Sequence, residues 1–347
     1  MKKELLMGTA LVSTLGAASV AEAVTATMSG NHQTGIEFDS PSSGTDTNAQ
    51  TQDNNFTVSL SETTDGGMTI SSSFMLANED AVDGDLDAGF SLTFTDGSKL
   101  DIINAGNAAG SHDVSIPGSA GSEGVTTATS NAAETGLDFM TGASDQGIEY
   151  HTAADFLADG LKMSFSASTD GGEAAGTTYR IDSHVAIGAT YVTDLGDSAV
   201  TIGAGYSAID GSKTNTAPSN DTGGFHVGLS AVTGDLTVAV GFADGNVVGT
   251  GAASGKEMDA DVLKAGIKYV TGSLTFNVGF ASGDAQDNTI GSISGSDDSI
   301  DETSASISYA VASGVTAILG YTSLEASDEG ASSTDGSAWY IGANMAF

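Results

Sequence analysis

The sequence contains no cysteine, only three prolines, and only nine lysines and arginines against 45 aspartates and glutamates. Without cysteine the chain has neither disulfide bonds nor thiolate metal ligands, so its stability has to come from the fold itself. After residue 23 there is no apolar run long enough for a membrane-spanning helix. The formal net charge of −36 argues against nucleic acid as a partner. The same acidity suits a solvated surface, a saline habitat or a conduit that attracts cations.

The N-terminus has the composition of a secretory signal peptide. Lys2 and Lys3 precede a mostly apolar stretch over residues 5–18, and Ala21 and Ala23 form a small-x-small cleavage site. The apolar stretch is too short to span a bilayer as a helix. We therefore predict cleavage after Ala23 and an exported mature chain of residues 24–347, with a buried N-terminal helix as the alternative.

A period of two runs through the mature sequence. In residues 337–347, Trp339, Ile341, Met345 and Phe347 lie on one parity, and small or polar side chains lie on the other. Such alternation predicts a β-strand with one apolar face. Taken alone, this stretch fits either the edge strand of a soluble sheet or the closing strand of a transmembrane barrel.

Similar stretches predict one strand, seven hairpins and a final strand, which makes sixteen. The connections after even-numbered strands are mostly short Gly/Asp turns, such as residues 64–67, and those after odd-numbered strands are long and polar. This sorting of loops is typical of bacterial outer-membrane barrels. The second face of the strands carries Ser, Thr, Asn and Gly, which suits water rather than a packed core. The fold class predicted is all-β: a 16-stranded antiparallel transmembrane β-barrel wide enough for an aqueous channel.

Several stretches resemble the Gram-negative general porins, most closely the Rhodobacter-type trimeric porins of alphaproteobacteria. They are MSGNHQTGIEF, FTVSLSETTDGGMTISSSF, TDGSKLDI, GLKMSFSASTDGG, HVAIGATY and the C-terminal YIGANMAF. The resemblance implies a homotrimer in the outer membrane of a Gram-negative bacterium, with one water-filled pore per subunit for passive diffusion of small hydrophilic solutes and ions. It also implies a third loop that folds inward and constricts the pore, here residues 106–145.

This long loop and the predicted strands carry opposite charges. The loop has five carboxylates and no Lys or Arg: Asp113, Glu123, Glu134, Asp138 and Asp145. Five basic residues fall on the polar parity of strands: Lys99, Lys162, Arg180, Lys264 and Lys268. A charge facing lipid costs about 2–4 kcal/mol at mid-bilayer, which forces these side chains inward whether or not they function.

We expect a transverse field between the loop carboxylates and the wall cations of a cation-preferring pore. The alternative is a solvated surface loop, with the basic residues only neutralising nearby carboxylates. The porins that this sequence resembles usually carry a denser cluster of basic residues. The absence of such a cluster here argues against strong passage of anions.

Asp83, Asp85 and Asp87 alternate before Gly89 in another predicted loop. Carboxylate oxygens at this spacing suit Ca²⁺, although the final glutamate of an EF-hand loop is missing and simple solvation is the alternative. No other cofactor is implied. Divalent cations at such loops would also bridge to the anionic lipopolysaccharide of the outer leaflet.

Two other classes of protein are alternatives to a channel. The five histidines are scattered, and neither HExxH nor GxSxG occurs, so no enzyme is predicted. A secreted acidic surface-layer or adhesin-type structural protein would have a similar composition. Such a protein would not need the terminal aromatic strand or sixteen strands with loops sorted by parity.

Overall fold

The computed structural model describes ten stretches of the chain. They are residues 24–41, 45–77, 89–103, 107–118, 147–171, 179–213, 222–248, 257–286, 297–327 and 334–347. The predicted signal peptide, the aspartates at 83, 85 and 87, and residues 119–146 of the long loop lie outside these stretches. Within them, no helix is long and apolar enough to cross a membrane.

Sixteen strands make up the described sheet. In chain order they are β1 (Thr25–Pro41), β2 (Thr47–Thr63), β3 (Thr69–Ala77), β4 (Phe90–Thr93), β5 (Lys99–Ile103), β6 (Gly147–His151), β7 (Leu161–Gly171), β8 (Tyr179–Leu195), β9 (Ser198–Lys213), β10 (Thr222–Thr233), β11 (Leu236–Val248), β12 (Glu257–Thr271), β13 (Leu274–Gln286), β14 (Asp297–Ala312), β15 (Val315–Ser327) and β16 (Thr334–Ala346). A single 3₁₀ turn, Gly110–His112, is described between β5 and β6.

The sheet closes on itself. Every strand pairs antiparallel with its neighbours in sequence, and β1 pairs with β16. At this seam Ile36 lies opposite Ile341, and Phe38 lies opposite Trp339. The prediction of a 16-stranded antiparallel barrel is therefore confirmed, and the C-terminal strand is its closing strand rather than a free edge.

Each of the seven connections that follow an even-numbered strand contains a glycine with positive φ. They are Gly67, Gly97, Gly160, Gly196, Gly234, Gly272 and Gly314. This region of backbone conformation is costly for residues with a Cβ atom. Part of the high glycine content is thus explained by the tight turns at one end of the barrel.

The two faces of the sheet differ sharply. On β11, Leu236, Val238 and Val240 are 39–44% exposed, whereas Ala239 between them is 3% exposed. The large apolar side chains therefore point outward, as a lipid-facing surface requires. The inner face carries small and polar residues, and residues 107–118 lie against it.

Candidate functional site: residues 107–118 on the inner wall

Residues 107–118 follow β5 and form a compact turn of their own. Asn107 Oδ1 accepts a hydrogen bond from the Gly110 amide at 3.0 Å. The Ser111 amide donates to the Asn107 carbonyl, and the Asp113 amide donates to the Gly110 carbonyl, both at 3.1 Å. The segment is thus locally ordered, and we call residues 107–118 the lumen segment.

The lumen segment lies against a belt of inner-face glycines. We define the glycine belt as Gly188, Gly203, Gly205, Gly228, Gly241, Gly266 and Gly279, on β8 to β13. Strand register places several of them side by side, with Gly188 opposite Gly205, Gly228 opposite both Gly203 and Gly241, and Gly266 opposite Gly279. The missing side chains leave a shallow track across six strands.

The track is filled by the lumen segment. A Cβ atom added to Gly188 would meet Ala108 and His112, and one added to Gly266 would overlap the backbone of Pro117. Gly118 in turn lies against the backbone of β13. Because these contacts are all on the face opposite the apolar one, the segment lies on the lumen side of the wall.

Polar side chains attach the start of the segment to β6 and β7. Ser111 Oγ donates to Glu149 Oε1 at 2.6 Å, and the Ala108 amide donates to Ser166 Oγ at 2.9 Å. Glu149 is 4% exposed, so this charge-assisted hydrogen bond is shielded from water. These contacts hold the start of the segment against β6 and β7, the two strands that follow it in the chain.

The side chain of His112, in the lumen segment, contacts the wall and bridges two strands. Its Nε2 is 2.7 Å from Ser164 Oγ on β7, and its Nδ1 is 2.6 Å from Thr190 Oγ1 on β8. Burial, together with the nearby positive charges of His151, His226 and Lys162, lowers the pKa of His112 to about 4. The imidazole is therefore neutral at pH 7 and acts as a hydrogen-bonding bridge.

Asp101, His151 and Ser164 have the connectivity of a hydrolase triad. His151 Nε2 is 2.9 Å from Asp101 Oδ2, and His151 Nδ1 is 2.7 Å from Ser164 Oγ. Ser164, however, is 1% exposed, and its hydroxyl is also bonded by His112. A nucleophile needs access to substrate. The Ser164 hydroxyl therefore helps to attach the lumen segment to the wall.

A second histidine holds the middle of the segment from β10. His226 Nε2 donates to the Ala109 carbonyl at 2.8 Å, and His226 Nδ1 is 3.0 Å from Asp113 Oδ1. His226 is 4% exposed, whereas the Asp113 side chain is 59% exposed. Asp113 therefore has one oxygen at the wall and most of its carboxylate in the lumen.

A family model described as Gram-negative porin matches residues 8–329, which is most of the chain. This chain belongs to the Gram-negative porin family. Family and fold together place it in the outer membrane of a Gram-negative bacterium as a channel for passive diffusion. The family predicted from sequence is confirmed, and the Rhodobacter-type subgroup stays a prediction.

Solved porin structures share the architecture at low sequence identity. An anion-selective porin from Comamonas acidovorans is 12% identical, with a TM-score of 0.61 over 93% of this chain and 100% of that one. The outer-membrane channel DcaP of Acinetobacter baumannii is 9% identical, with a TM-score of 0.68 over 93% and 97%. OmpT of Vibrio cholerae in its trimer form is 15% identical, with a TM-score of 0.59 over 94% and 100%. No curated protein sequence matches the chain.

Some of the constriction residues predicted for this chain lie within the described residues. Asp113 is in the lumen segment, whereas Glu123, Glu134, Asp138 and Asp145 lie outside the described residues. Lys162, Lys264 and Lys268 are on the inner parity of β7 and β12. Arg180 is in β8, but its side chain lies outside those described.

Lys99 also lies on the inner parity, and its Nζ forms a 2.6 Å ion pair with Asp101, as in the alternative in which a basic residue neutralises a nearby carboxylate. Sequence reasoning also missed Glu149, Ser164 and the roles of His112 and His226. The glycines at alternate inner positions of β8 to β12 were the sequence signal that a segment lies against the inner wall. They did not identify the side chains that hold this segment there.

In the part of the porin that the structure describes, no group of three or more histidines and carboxylates could hold a metal ion. The calcium site predicted at Asp83, Asp85 and Asp87 lies outside the described residues and stays a prediction.

Proposed function

We propose that this porin forms a cation-preferring pore for small hydrophilic solutes and ions, narrowed by the long loop over residues 106–145. The observation that carries the proposal is the position of the lumen segment, which crosses the inner face from β7 to β13. The remaining loop carboxylates follow this segment in sequence. A loop that begins on the lumen wall is well placed to bring them to the pore.

Charge supports the cation preference. The chain has 45 acidic against nine basic residues, and the loop contributes five carboxylates and no Lys or Arg. Of the wall lysines with described side chains, Lys99 is already paired with a carboxylate. An excess of lumen carboxylates favours cations. The Comamonas acidovorans porin is anion-selective, but at 12% identity the likeness concerns the fold alone.

We also propose a homotrimer that contacts lipid and lipopolysaccharide. The OmpT structure of Vibrio cholerae in its trimer form supports the oligomeric state by analogy. The exposed apolar face, with side chains such as Ile341 at 56% and Val278 at 53%, supports a lipid environment. A secreted surface-layer protein is not favoured, because a closed barrel with this outer face would have no lipid to cover it.

Reversal potentials in planar bilayers test the ion preference. With a KCl gradient, we expect the wild-type channel to favour K⁺. Asp113→Asn should lower that preference and Lys268→Met should raise it, each by roughly twofold in permeability ratio for about 0.5 kcal/mol in a wet lumen. Asp235→Asn, in the exposed turn between β10 and β11, is the control and should leave the ratio unchanged.

A wild-type channel that prefers Cl⁻ would contradict the cation preference while leaving the pore intact. Purified, folded protein without any conductance would remove the pore itself.

A further inference from the structure

The connection between β6 and β7 is the longest at the short-turn end of the barrel. Residues 152–160 separate His151 from Leu161, whereas the other six connections at this end have two to five residues. Two residues are enough to join antiparallel strands, so the topology does not require the additional residues of this connection. We call residues 152–160 the β6–β7 turn.

The β6–β7 turn has a defined conformation. The Asp155 amide donates to the Leu161 carbonyl at 3.1 Å, and the Leu161 amide donates to the Ala158 carbonyl at 3.0 Å. Asp155 Oδ1 accepts a hydrogen bond from the Gly160 amide. Asp155 has a φ of +63°, the only positive φ outside glycine in the described part of the chain. Because this conformation is costly for a residue with a Cβ atom, the surrounding hydrogen bonds hold the turn in a strained shape.

That shape exposes large apolar side chains. Leu157 is 69% exposed and Phe156 is 57% exposed, and Leu195 at the end of β8 is 65% exposed. Among the described residues, these are three of the five most exposed large apolar side chains. The β6–β7 turn and the end of β8 are neighbours, since the Val192 amide donates to the Gly160 carbonyl at 2.9 Å. We call Phe156, Leu157 and Leu195 the apolar cluster.

A belt of tyrosines marks where the lipid-facing surface ends. On four strands that run towards the short turns, an outward tyrosine lies within four residues of the strand end: Tyr150, Tyr191, Tyr269 and Tyr309. Aromatic residues at such positions are typical of the membrane–water interface. The β6–β7 turn begins two residues after Tyr150 and returns to the wall at Leu161, which lies opposite Tyr191. The apolar cluster is therefore next to the belt, at the level of the lipid headgroups.

Carboxylates surround the apolar cluster. Asp155 and Asp159 belong to the β6–β7 turn, and Asp194 and Asp197 flank Leu195. Neither residues 152–160 nor residues 194–197 include a lysine or an arginine. An anionic lipid surface would repel this group of charges. A zwitterionic headgroup carries no net charge and offers an ammonium group, so it is the lipid chemistry that fits.

We propose that the β6–β7 turn is a membrane anchor: the apolar cluster inserts into the headgroup layer at the short-turn end of the barrel and contacts zwitterionic phospholipid. The lipid-facing surface of β6 to β8 continues into the cluster, so lipid already covers the neighbouring side chains. Burial of exposed apolar side chains drives such interfacial insertion. The anchor fixes the depth of this side of the barrel in the membrane. This inference rests on the proposed lipid environment of the barrel.

The chain has no cysteine, which makes site-directed spin labelling a direct test. Leu157→Cys, Asp235→Cys and Val278→Cys are each labelled with a nitroxide in the purified porin and reconstituted into phosphatidylcholine vesicles. Collisions with oxygen, which concentrates in the bilayer, are compared with collisions with a neutral nickel chelate, which stays in water. The oxygen-to-nickel ratio should be highest at position 278 in the outer face. It should be several-fold higher at position 157 than at position 235, in the exposed turn between β10 and β11.

Equal ratios at positions 157 and 235 would overturn the anchor, because both turns would then lie in water. If position 278 kept its high ratio in that case, the proposed lipid environment of the barrel would stand. A low ratio at position 278 as well would overturn both proposals.

A second probe keeps an aromatic side chain in the turn. Trp339 is the only tryptophan in the sequence, so Phe156→Trp combined with Trp339→Phe reports on the turn alone. Lipids brominated near the headgroup should quench its fluorescence more strongly than lipids brominated near the end of the acyl chain. Quenching by neither lipid would contradict insertion.

Phe156→Ser tests whether the members of the cluster insert together. In the Leu157→Cys protein it should lower the oxygen-to-nickel ratio at position 157, because an apolar neighbour is lost. Val311→Ser is the matched control, since Val311 lies at the same end of the barrel on β14 and is 58% exposed against 57% for Phe156. It should leave the ratio unchanged. Equal decreases in the two variants would overturn a local anchor.

Lipid charge tests the headgroup chemistry. Replacing part of the phosphatidylcholine by phosphatidylglycerol at low ionic strength should lower the ratio at position 157, because the carboxylates around the cluster are repelled. Added salt should restore the ratio by screening. A higher ratio in the anionic vesicles would overturn the assignment to zwitterionic phospholipid.

Discussion

At the residue scale, the shape of the inner wall depends on glycines, which have no side chain beyond a hydrogen atom. Along the glycine belt the backbone of one strand after another is bare, and the lumen segment occupies the space. The belt positions differ in how closely the segment approaches. A Cβ at Gly266 would overlap the Pro117 backbone, whereas a Cβ at Gly241 would be in ordinary contact with the Ile116 side chain, at 3.4 Å, and with the Val227 carbonyl, at 3.9 Å.

This difference makes Gly266→Ala and Gly241→Ala a matched pair. Gly266→Ala should destabilise the seated segment by about 1–3 kcal/mol, the usual cost of overpacking, and displace it into the lumen. We expect lower or noisier single-channel conductance with an unchanged thermal unfolding temperature of the barrel, because the conflict is with the segment alone. Gly241→Ala should behave like the wild type. Identical conductance in both variants would show that the segment is not seated on the belt.

At the element scale, the antiparallel register brings like charges together on the outer face. Asp261 of β12 lies directly opposite Asp244 of β11 and Asp284 of β13. All three share the parity of the outward apolar residues and lie towards the long-loop ends of their strands. Like charges directly opposite one another destabilise a strand pair.

Asp261→Asn should therefore stabilise the barrel. Removal of the central carboxylate relieves two repulsions, each of about 0.2–1 kcal/mol at low ionic strength. The measurement is the urea midpoint of unfolding in detergent at low and high salt, where screening should erase most of the gain. Asp235→Asn removes one charge of the same sign in an exposed turn and should show no gain. Equal stabilisation by both variants would trace the effect to net charge rather than to register.

At the scale of the whole molecule, stability depends on closure between β1 and β16. The seam ends with reciprocal hydrogen bonds, from the Gly30 amide to the Phe347 carbonyl at 3.1 Å and from the Phe347 amide to the Gly30 carbonyl at 3.0 Å. The Phe347 ring packs beside Phe56 of β2, with 6.1 Å between ring centroids. The terminal residue thus links three strands across the point of closure.

Phe347→Ala should weaken closure by about 1 kcal/mol, the value of an aromatic pair, while the backbone hydrogen bonds persist. The expected result is a lower temperature of heat-induced unfolding, followed by circular dichroism in detergent. Val311→Ala is the control, because Val311 is similarly exposed, at 58% against 66% for Phe347, and no aromatic ring contact is described for it. A drop of equal size in both variants would attribute the loss to apolar area alone.

Much of the architecture was predictable because it is local. Leu236, Val238 and Val240 alternate with small residues, and a period of two specifies both a strand and the face it turns to lipid. The Gly/Asp turns are equally local, since a positive φ has to be supplied by the residue that adopts it. Strand count, loop sorting and the inward placement of Lys162, Lys264 and Lys268 follow from these patterns.

The attachment of the loop was not predictable, because it joins residues that are far apart in the chain. His226 and Ala109 are 117 positions apart, and His112 and Ser164 are 52 apart. Parity placed His226 on the inner wall but could not tell which loop residue would reach it. Parity likewise placed Lys99 on the inner wall but could not predict its ion pair with Asp101, which depends on side-chain packing along β5.

The sequence by itself determined that the chain is a barrel with a lipid face and a water face, because alternation acts over neighbouring residues. Only the tertiary structure decided that residues 107–118 lie on the glycine belt and are held there by His112, His226 and Glu149. Those contacts exist only once the sheet has closed and brought β6 to β13 around a common lumen.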